Sequence, residues 1–469
     1  MKHTSHIYSC FLLFIGIFTS SISLAETQKD KPNFVLIFVD DLGYGDLGCY
    51  GSKTIKTPNI DRMAKEGTRF TDFYAQTVCG PSRSALMTGC YPRRTAKVLK
   101  NGKKSDHPPM SLNEITVAEV LKEQDYKTLA LGKWDLAGHS HKNYIPELLP
   151  LHQGFDAYFG TPSSNDAPPP IIENNTVIEE KTDMSQLTRR YTDKAIDFMK
   201  KNKDAPFFVY LAHNMPHVQL AASEQFKGSC KAGIYGDVVQ ELDWNVGRIL
   251  DFLKEEKLDD NTYIIFTSDN GPWFFTRSKG HQKRFGENWM EHSGSALPLR
   301  GGKTTAWEGG LRVPFIVRAP NRVPKGKVNK EIASTLDILP TFAHLAGGKV
   351  PNDRIIDGHD ITPLIHGEKK AKSPTDTYYY YVRGRLCALR TGKWKLHLER
   401  PEDGWGQFST PEDAAAITTP QLYNLEKDIA ESKDVADKYP EVVKQLLATA
   451  QKAREDLGDY GLEGKGCRK

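Results

Sequence analysis

Short continuous apolar runs alternate along this chain with longer stretches of helical periodicity. The clearest run is Asn33-Phe34-Val35-Leu36-Ile37-Phe38-Val39, which stops abruptly at Asp40-Asp41 and a glycine-rich loop. A run of this length without polar alternation predicts a strand buried on both faces. Similar runs are Thr128–Leu131, Pro206–Leu211, Tyr263–Thr267 and Pro314–Val317. Helical patterns lie between them, over Val117–Glu123, Arg189–Lys201, Ile234–Lys254 and Thr335–Ala346. Strands alternating with helices predict an α/β fold, with a large, mostly parallel central sheet flanked by helices. Ligands of such sheets bind beyond the carboxyl ends of strands, and several polar clusters of this chain fall there. The charged stretch Gln186–Lys203 reads as a solvated helix face.

After about Thr375 the pattern changes. Tyr378–Val382 and Cys387–Leu398 read as antiparallel strands joined by Arg-Gly turns, Leu422–Leu425 as a further strand, and Glu441–Leu457 as a final helix. The expected division is a leader over 1–25, a principal domain over 26–371 and a smaller α+β subdomain over 372–469, containing an antiparallel sheet. No internal repeat is visible. Pro162–Pro170 is a polar, proline-rich loop and Lys279–Leu297 a long insertion; such loops near an active face often set substrate choice.

Composition narrows the compartment and the partners. The 63 basic and 59 acidic residues nearly cancel, which argues against a general nucleic-acid binder but leaves room for a local cationic pocket. Lys2, the apolar stretch Phe11–Phe18 and the small residues ending at Ala25 form a secretory leader pattern, with cleavage expected after Ala25. That apolar stretch is short for a spanning helix, and no later segment has about 18 consecutive apolar residues. The expectation is a secreted or periplasmic protein without stable membrane insertion. Beyond the leader, Cys49, Cys79, Cys90, Cys230, Cys387 and Cys467 are too few for a disulfide scaffold. An oxidising compartment permits disulfides, with no pairing given by spacing.

The most informative segment is Cys79-Gly80-Pro81-Ser82-Arg83-Ser84-Ala85-Leu86-Met87-Thr88-Gly89. A cysteine, then Pro and Arg at fixed offsets, opens a helical segment, and a nucleophile at a helix N-terminus gains from the helix dipole. The segment resembles the signature of the type I sulfatases, of arylsulfatase and N-acetylgalactosamine-6-sulfatase type, in the alkaline phosphatase superfamily. The resemblance runs from about Lys31 to Leu457 and includes Ser334–Thr341 and Asp357-Gly358. It implies an alkaline phosphatase-like fold and a sulfatase hydrolysing sulfate monoesters, sulfated carbohydrate being the expected substrate. It also implies that a formylglycine-generating maturation enzyme oxidises Cys79 to formylglycine, whose hydrate attacks sulfur and then expels sulfate by carbon–oxygen cleavage. That is covalent catalysis without a direct attack of water on the sulfated enzyme.

The remaining candidates fall into two sets. Asp40-Asp41 and Asp269-Asn270 follow two apolar runs, and two pairs of hard oxygen ligands suit one hard divalent cation. By the resemblance this is one calcium ion, with residue 79 adding a ligand. Arg83, Lys133, His217 and Lys303 supply fixed donors for an anion on which charge develops. Lys133 sits in Gly132-Lys133-Trp134, Lys303 before Trp307–Pro314, and His217 after Phe207–Tyr210, each in a sulfatase-like context. Ser164 matches a sulfate-contacting serine, and His213 is the next candidate after His217. Glu308 and Arg312 read as a structural ion pair beneath the site. Trp273, Trp289 and Trp405 are candidates for stacking on sugar rings or for core packing.

Two positions depart from the family pattern. Asp135 stands where the family has a histidine that contacts the nucleophile. An ionised Asp135 about 4 Å from a sulfate oxygen costs roughly 4 kcal/mol at an effective dielectric near 20, about three powers of ten in rate. Three outcomes follow: Asp135 is itself the base; it faces Lys133, His139 or His141, with a histidine taking over; or the protein is a weak or inactive relative. The first is favoured because the rest of the constellation is intact. Cys90 replaces an arginine and reads as a local structural change or a disulfide half. Two rivals stand beside the sulfatase reading. One is a phosphate or phosphonate monoester hydrolase of the same superfamily; the other is a non-catalytic binder of sulfated glycans.

Overall fold

The computed structural model describes residues 31–95, 108–273, 289–402 and 410–468. The leader, with its cleavage point at Ala25, much of the 279–297 insertion and Trp405 lie outside the described residues. The central sheet is built from β1 (Asn33–Val39), β2 (Thr68–Tyr74), β3 (Lys127–Lys133), β4 (Ala157–Thr161), β5 (Ile171–Glu173), β6 (Thr176–Glu179), β7 (Phe207–Ala212), β8 (Thr262–Ser268), β9 (Arg312–Arg318), β10 (Lys327–Asn329) and β11 (Ala333–Ser334). Their order is β10-β2-β9-β8-β1-β7-β3-β4-β5-β6, with β11 also on β2.

The middle of the sheet, β8-β1-β7-β3-β4, is parallel. β9 runs antiparallel to both β8 and β2, as do β5 to β4 and β6 to β5. An apolar run carries no direction, so the antiparallel setting of β9 was not readable from Pro314–Val317. Every residue of β1, β7, β8 and β9 is buried.

The alternation of side chains along β1 divides the core in two. Phe34, Leu36 and Phe38 face one layer, with Leu86, Val117, Leu121, Ile338 and Phe342. Val35, Ile37 and Val39 face the other, with Ile60, Met63, Tyr191, Leu242 and Ile249. The first layer thus holds α2 (Cys79–Thr88), α3 (Val117–Lys122) and α6 (Ile338–Leu345). The second holds α1 (Pro58–Glu66), α4 (Leu187–Lys201) and α5 (Gly233–Glu255). Helix α4 keeps its charged residues Arg189, Lys194, Asp197 and Lys200 at the surface, as the reading of Gln186–Lys203 expects, and buries its other face. Its Leu187, Tyr191, Ala195 and Met199, spaced by four, are buried against the sheet.

A separate antiparallel sheet follows near the C-terminus, in the order β12 (Thr377–Val382), β13 (Arg385–Thr391), β14 (Trp394–His397), β15 (Gln421–Asn424). Helix α7 (Pro440–Leu457) lays Leu446, Ala450, Ala453 and Leu457 into the same cluster as Tyr380, Leu389 and Leu396. Among the described residues no helix is long and apolar enough to cross a membrane.

At the end of β3, Gly132 pairs with Gly160 of β4. Gly132 has φ +85, and a Cβ there would lie 1.8 Å from the Ala212 carbonyl oxygen of β7. The missing side chains let three strands close up immediately before Lys133. Gly132→Ala is expected to cost about 2 kcal/mol or more, read as a denaturation midpoint. Gly228→Ala is the control, because Gly228 has φ +71 and open space around it; its expected cost is about 1 kcal/mol. Equal costs would contradict the close approach.

Candidate active site

β1 and β8 are neighbours in register, Val39 opposite Ser268. The residues that leave them therefore emerge side by side: Asp40-Asp41 from one strand, Asp269-Asn270 from the other. The Asp269 N–H donates to the Val39 carbonyl at 3.1 Å and the Asp41 N–H to Asp269 Oδ1 at 3.1 Å. Asp41 takes a left-handed conformation, φ 65, which aspartate tolerates better than most residues. All four side chains are buried.

Cys79 opens α2 and is buried beside them. Its thiol donates to Asp40 Oδ1 at 3.2 Å and accepts from Lys303 Nζ at 3.2 Å. Three cations meet the three carboxylates. Lys133 Nζ lies 2.7 Å from Asp40 Oδ2, Lys303 Nζ 2.5 Å from Asp41 Oδ1, and Arg83 Nη2 2.8 Å from Asp269 Oδ2. Arg83 also donates to the Lys133 carbonyl at 2.9 Å, fixing α2 to the end of β3.

His217 turns Nδ1 to the Val218 carbonyl, which leaves Nε2 3.6 Å from Asp41 Oδ2. A carbonyl only accepts, so neutral His217 carries its proton on Nδ1. Asp40, Asp41, Cys79 and His217 offer ligand atoms within 4.8 Å of one another. The sequence-predicted residues Asp40, Asp41, Cys79, Arg83, Lys133, His217, Asp269, Asn270 and Lys303 thus come together.

Two others stand at the margin. Asp135 is buried, with Oδ2 3.8 Å from Lys133 Nζ and Oδ1 2.7 Å from His139 Nδ1. The Ser164 hydroxyl donates to Asp166. His213 is buried against Tyr191, with Nδ1 unpartnered.

Several expectations need correction. Cys90 is a free thiol between the Thr88 and Ile355 carbonyls and the Arg468 guanidinium, not a disulfide half. Of the two readings of Trp273, packing is the one its burial matches. It is 9% exposed and lies under Lys303, whose Nζ is 4.7 Å from the ring centroid. Tyr210, whose hydroxyl lies 3.4 Å from Arg83, was missed inside an apolar run that gave no sign of its polar end. Glu308 and Arg312 do form an ion pair, at 3.2 Å, within a larger buried network.

The titrations follow from burial and charge. Against burial, Lys133, His217, Arg83 and Lys303 hold the Asp40 carboxyl well below the usual range. Burial lifts Asp41 to about 7, Lys303 opposing and the Asp40 and Asp269 charges adding to it. Burial also lifts Asp269, to about 6, with Asp40 adding and Arg83 opposing. Burial, then Asp269 and Asp40, pushes the Cys79 thiol well up. Burial lowers His217 to about 3, so it is neutral near pH 7.

The donor set fits a hard cation. It consists of three carboxylates and an amide oxygen, and both Asp41 Oδ2 and Asn270 Oδ1 are buried without a hydrogen-bond partner. Such buried acceptors are costly when left unmet.

The family model described as Sulfatase matches residues 32–348. The chain belongs to the sulfatase family. A second model, described as N-sulphoglucosamine sulphohydrolase, C-terminal, matches residues 302–456 of this sulfatase. The chain is 37% identical to arylsulfatase A of Homo sapiens, covering 88% of this chain and 86% of the relative. It is 33% identical to N-acetylgalactosamine-6-sulfatase of Canis lupus familiaris, covering 92% and 88%. The solved structure of Ps i-CgsB in complex with k-i-k-neocarrahexaose superposes with a TM-score of 0.75 at 30% identity, covering 93% of this sulfatase and 95% of that chain.

The raised Asp41 carboxyl gives a signed expectation for metal-free protein. The unfolded chain releases this proton near 3.8 and the folded chain near 7. The folded state therefore binds more protons in that window, and the contribution of Asp41 to stability falls as pH rises through it. Asp41→Asn does not titrate. Its stability relative to the unsubstituted protein is expected to rise between about pH 5 and about pH 7, read by chemical denaturation with a chelator present. A difference independent of pH would contradict the assignment.

Proposed function

We propose that this protein is a secreted, calcium-dependent sulfatase that hydrolyses sulfate monoesters on carbohydrate, using a formylglycine made from Cys79. The family supports sulfuric ester hydrolysis as the reaction class. The observation that carries the finer reading is the state of Cys79. A cysteine nucleophile needs a thiolate and access to substrate, whereas this thiol is buried at the start of α2 and donates to Asp40 Oδ1 at 3.2 Å. As a thiol it is inert, yet it sits at the focus of three cations and at the start of α2. Oxidation to formylglycine by a maturation enzyme resolves the conflict, since the hydrated aldehyde supplies a hydroxyl nucleophile without requiring a thiolate.

Asp40, Asp41, Asp269 and Asn270 hold the calcium ion in this proposal, with residue 79 beside them. When bound, the ion supplies positive charge that orients residue 79 and neutralises a sulfate oxygen. The protein's own side chains do the rest. Arg83 is locked between Asp269 and the Lys133 carbonyl and keeps the cluster's geometry fixed. Lys133 and Lys303 stay charged, because the carboxylates outweigh the burial that opposes them, and they attract the sulfate oxygens. Neutral His217, with its proton on Nδ1, offers Nε2 as an acceptor to a substrate hydroxyl, and Ser164 lines the substrate side. Asp135 acts as the base on the hydroxyl of residue 79. The carbohydrate assignment draws on a relative named for N-acetylgalactosamine and on a neighbour solved with a neocarrahexaose. Secretion draws on the leader pattern ending at Ala25. The C-terminal subdomain over 372–469 serves as a support beneath the site.

Protein produced together with a formylglycine-generating enzyme is expected to release sulfate from sulfated galactose or N-acetylgalactosamine. Matched phosphate esters are expected to react far more slowly, and Cys79→Ala is expected to reduce release to background. Chelation is expected to lower both the rate and the melting temperature, with calcium restoring both. Faster phosphate than sulfate release, or glycan binding without turnover, would overturn the reading.

A further inference from the structure

Two loops of the site are joined although their strands are not paired. β4 and β7 both pair with β3, one on each side, and the loops that follow them, 162–166 and 213–219, meet beyond its end. The side chain of Asn165, 0% exposed, ties them together. Its Nδ2 donates to the His217 carbonyl at 2.9 Å and to the Gln219 carbonyl at 2.8 Å, and its own backbone carbonyl accepts from the Gln219 N–H at 3.2 Å. The Val218 carbonyl, between the two that the amide holds, accepts from His217 Nδ1. Carbonyls only accept, so the amide must turn its nitrogen to them; Oδ1 is left buried without a hydrogen-bond partner.

Both loops have a firm footing. In the first, Thr161 Oγ1 donates to the Ser163 carbonyl at 2.9 Å, and the Pro162 carbonyl accepts from the Asp135 N–H at 3.1 Å. In the second, the His217 N–H donates to the Asn214 carbonyl at 3.2 Å, and the Asn214 side chain bonds to Thr161 and Tyr191 at 3.0 Å each. Asn165 holds the stretch beyond, 217–219, which carries the carbonyl that His217 uses.

We propose that Asn165 is a positioning residue that sets the tautomer of His217, and with it the hydrogen-bonding sense of Nε2 toward substrate. This deepens, and rests on, the reading of the site as a sulfatase with His217 as a substrate contact. The ring has two partners with opposite demands. The Val218 carbonyl needs a proton on Nδ1, whereas Asp41 Oδ2, 3.6 Å from Nε2, favours a proton there. A neutral imidazole carries only one, and the bond made by one nitrogen decides the state of the other. With the Val218 carbonyl held against Nδ1, Nε2 is an acceptor. With that stretch released, the proton moves through water from Nδ1 to Nε2, and the same nitrogen becomes a donor. The change needs no other reactant. Asn165 touches no reacting atom and acts only through His217.

Two measurements test the assignment. The first needs no activity. The ring nitrogen shifts of His217 are read by NMR at one fixed pH near neutrality, in calcium-loaded protein that still carries Cys79, and are assigned by their loss in His217→Ala. The unsubstituted protein is expected to show the proton on Nδ1. Asn165→Ala is expected to move the population toward Nε2, and Asn165→Ser, which keeps one donor, to move it less. The second uses matured protein. Asn165→Ala is expected to lower kcat/KM for sulfate release about 10- to 100-fold. In a His217→Ala background the same substitution is expected to change it by less than about two-fold, because residues that act through one another are not additive. A merely structural asparagine would lower the melting temperature, leave the tautomer alone and cost the same in both backgrounds. A His217 proton on Nε2 in the unsubstituted protein, a tautomer indifferent to Asn165→Ala and Asn165→Ser, or equal losses in the two backgrounds would overturn the assignment. Failure of the unsubstituted, matured protein to release sulfate would overturn the hydrolase reading instead and leave the tautomer measurement standing.

Discussion

The structure depends on three carboxylates being buried at one point. Isolated charges cannot be taken from water at such a depth without partners. The register of β1 with β8 forces Asp40, Asp41 and Asp269 together, and the fold must deliver compensation to the same place. It does so from three directions: Arg83 from α2, Lys133 from the end of β3, and Lys303 from the loop before Glu308. Each cation is nearly or fully buried and each meets a carboxylate within 2.8 Å. The positions of α2 and β3 are thereby tied to the electrostatics of two strand ends. The glycine pair at the end of β3 follows from the same demand, since Lys133 reaches Asp40 only if β3 closes on its neighbours.

A second buried charge cluster supports the first from below. Glu308 accepts from Tyr74 and Tyr380 and is paired with Lys395 at 2.9 Å and Arg312 at 3.2 Å. Against burial, Lys395, Arg312 and Arg390 hold its carboxyl well below the usual range. Glu431 bridges Lys395 and His397 and also accepts the Glu308 N–H. The C-terminal sheet is thus joined by charge to the short helix Glu308–Leu311, which follows the loop carrying Lys303. Removing one member would leave the others buried and unmet, a larger loss than the pair itself is worth. The small antiparallel sheet in this way fixes the loop that carries one of the three site cations.

Much of this was legible because chemistry-bearing residues directly follow apolar runs. Val39 to Asp40-Asp41 and Ser268 to Asp269-Asn270 are such transitions, and Cys79 to Arg83 is a motif within one helix. What escaped was set by tertiary context. β2 carries Arg69 and Asp72 within a buried strand, so its polarity hid it. β4 contains a glycine whose purpose is visible only beside Gly132. The direction of β9 and the burial of Trp273 depend on neighbours far away in sequence. For Asp135 the sequence offered Lys133, His139 and His141 as partners. The fold gives Asp135 the first two, one on each oxygen, and sends His141 elsewhere.

The central claim is that position 79 is chemically altered before it acts. The most direct measurement is the mass of the tryptic peptide Phe70–Arg83, from protein made alongside a formylglycine-generating enzyme. The account predicts an aldehyde at Cys79 in that peptide. An unmodified cysteine under those conditions would contradict it, because a buried thiol turned to Asp40 leaves the site without the hydroxyl nucleophile.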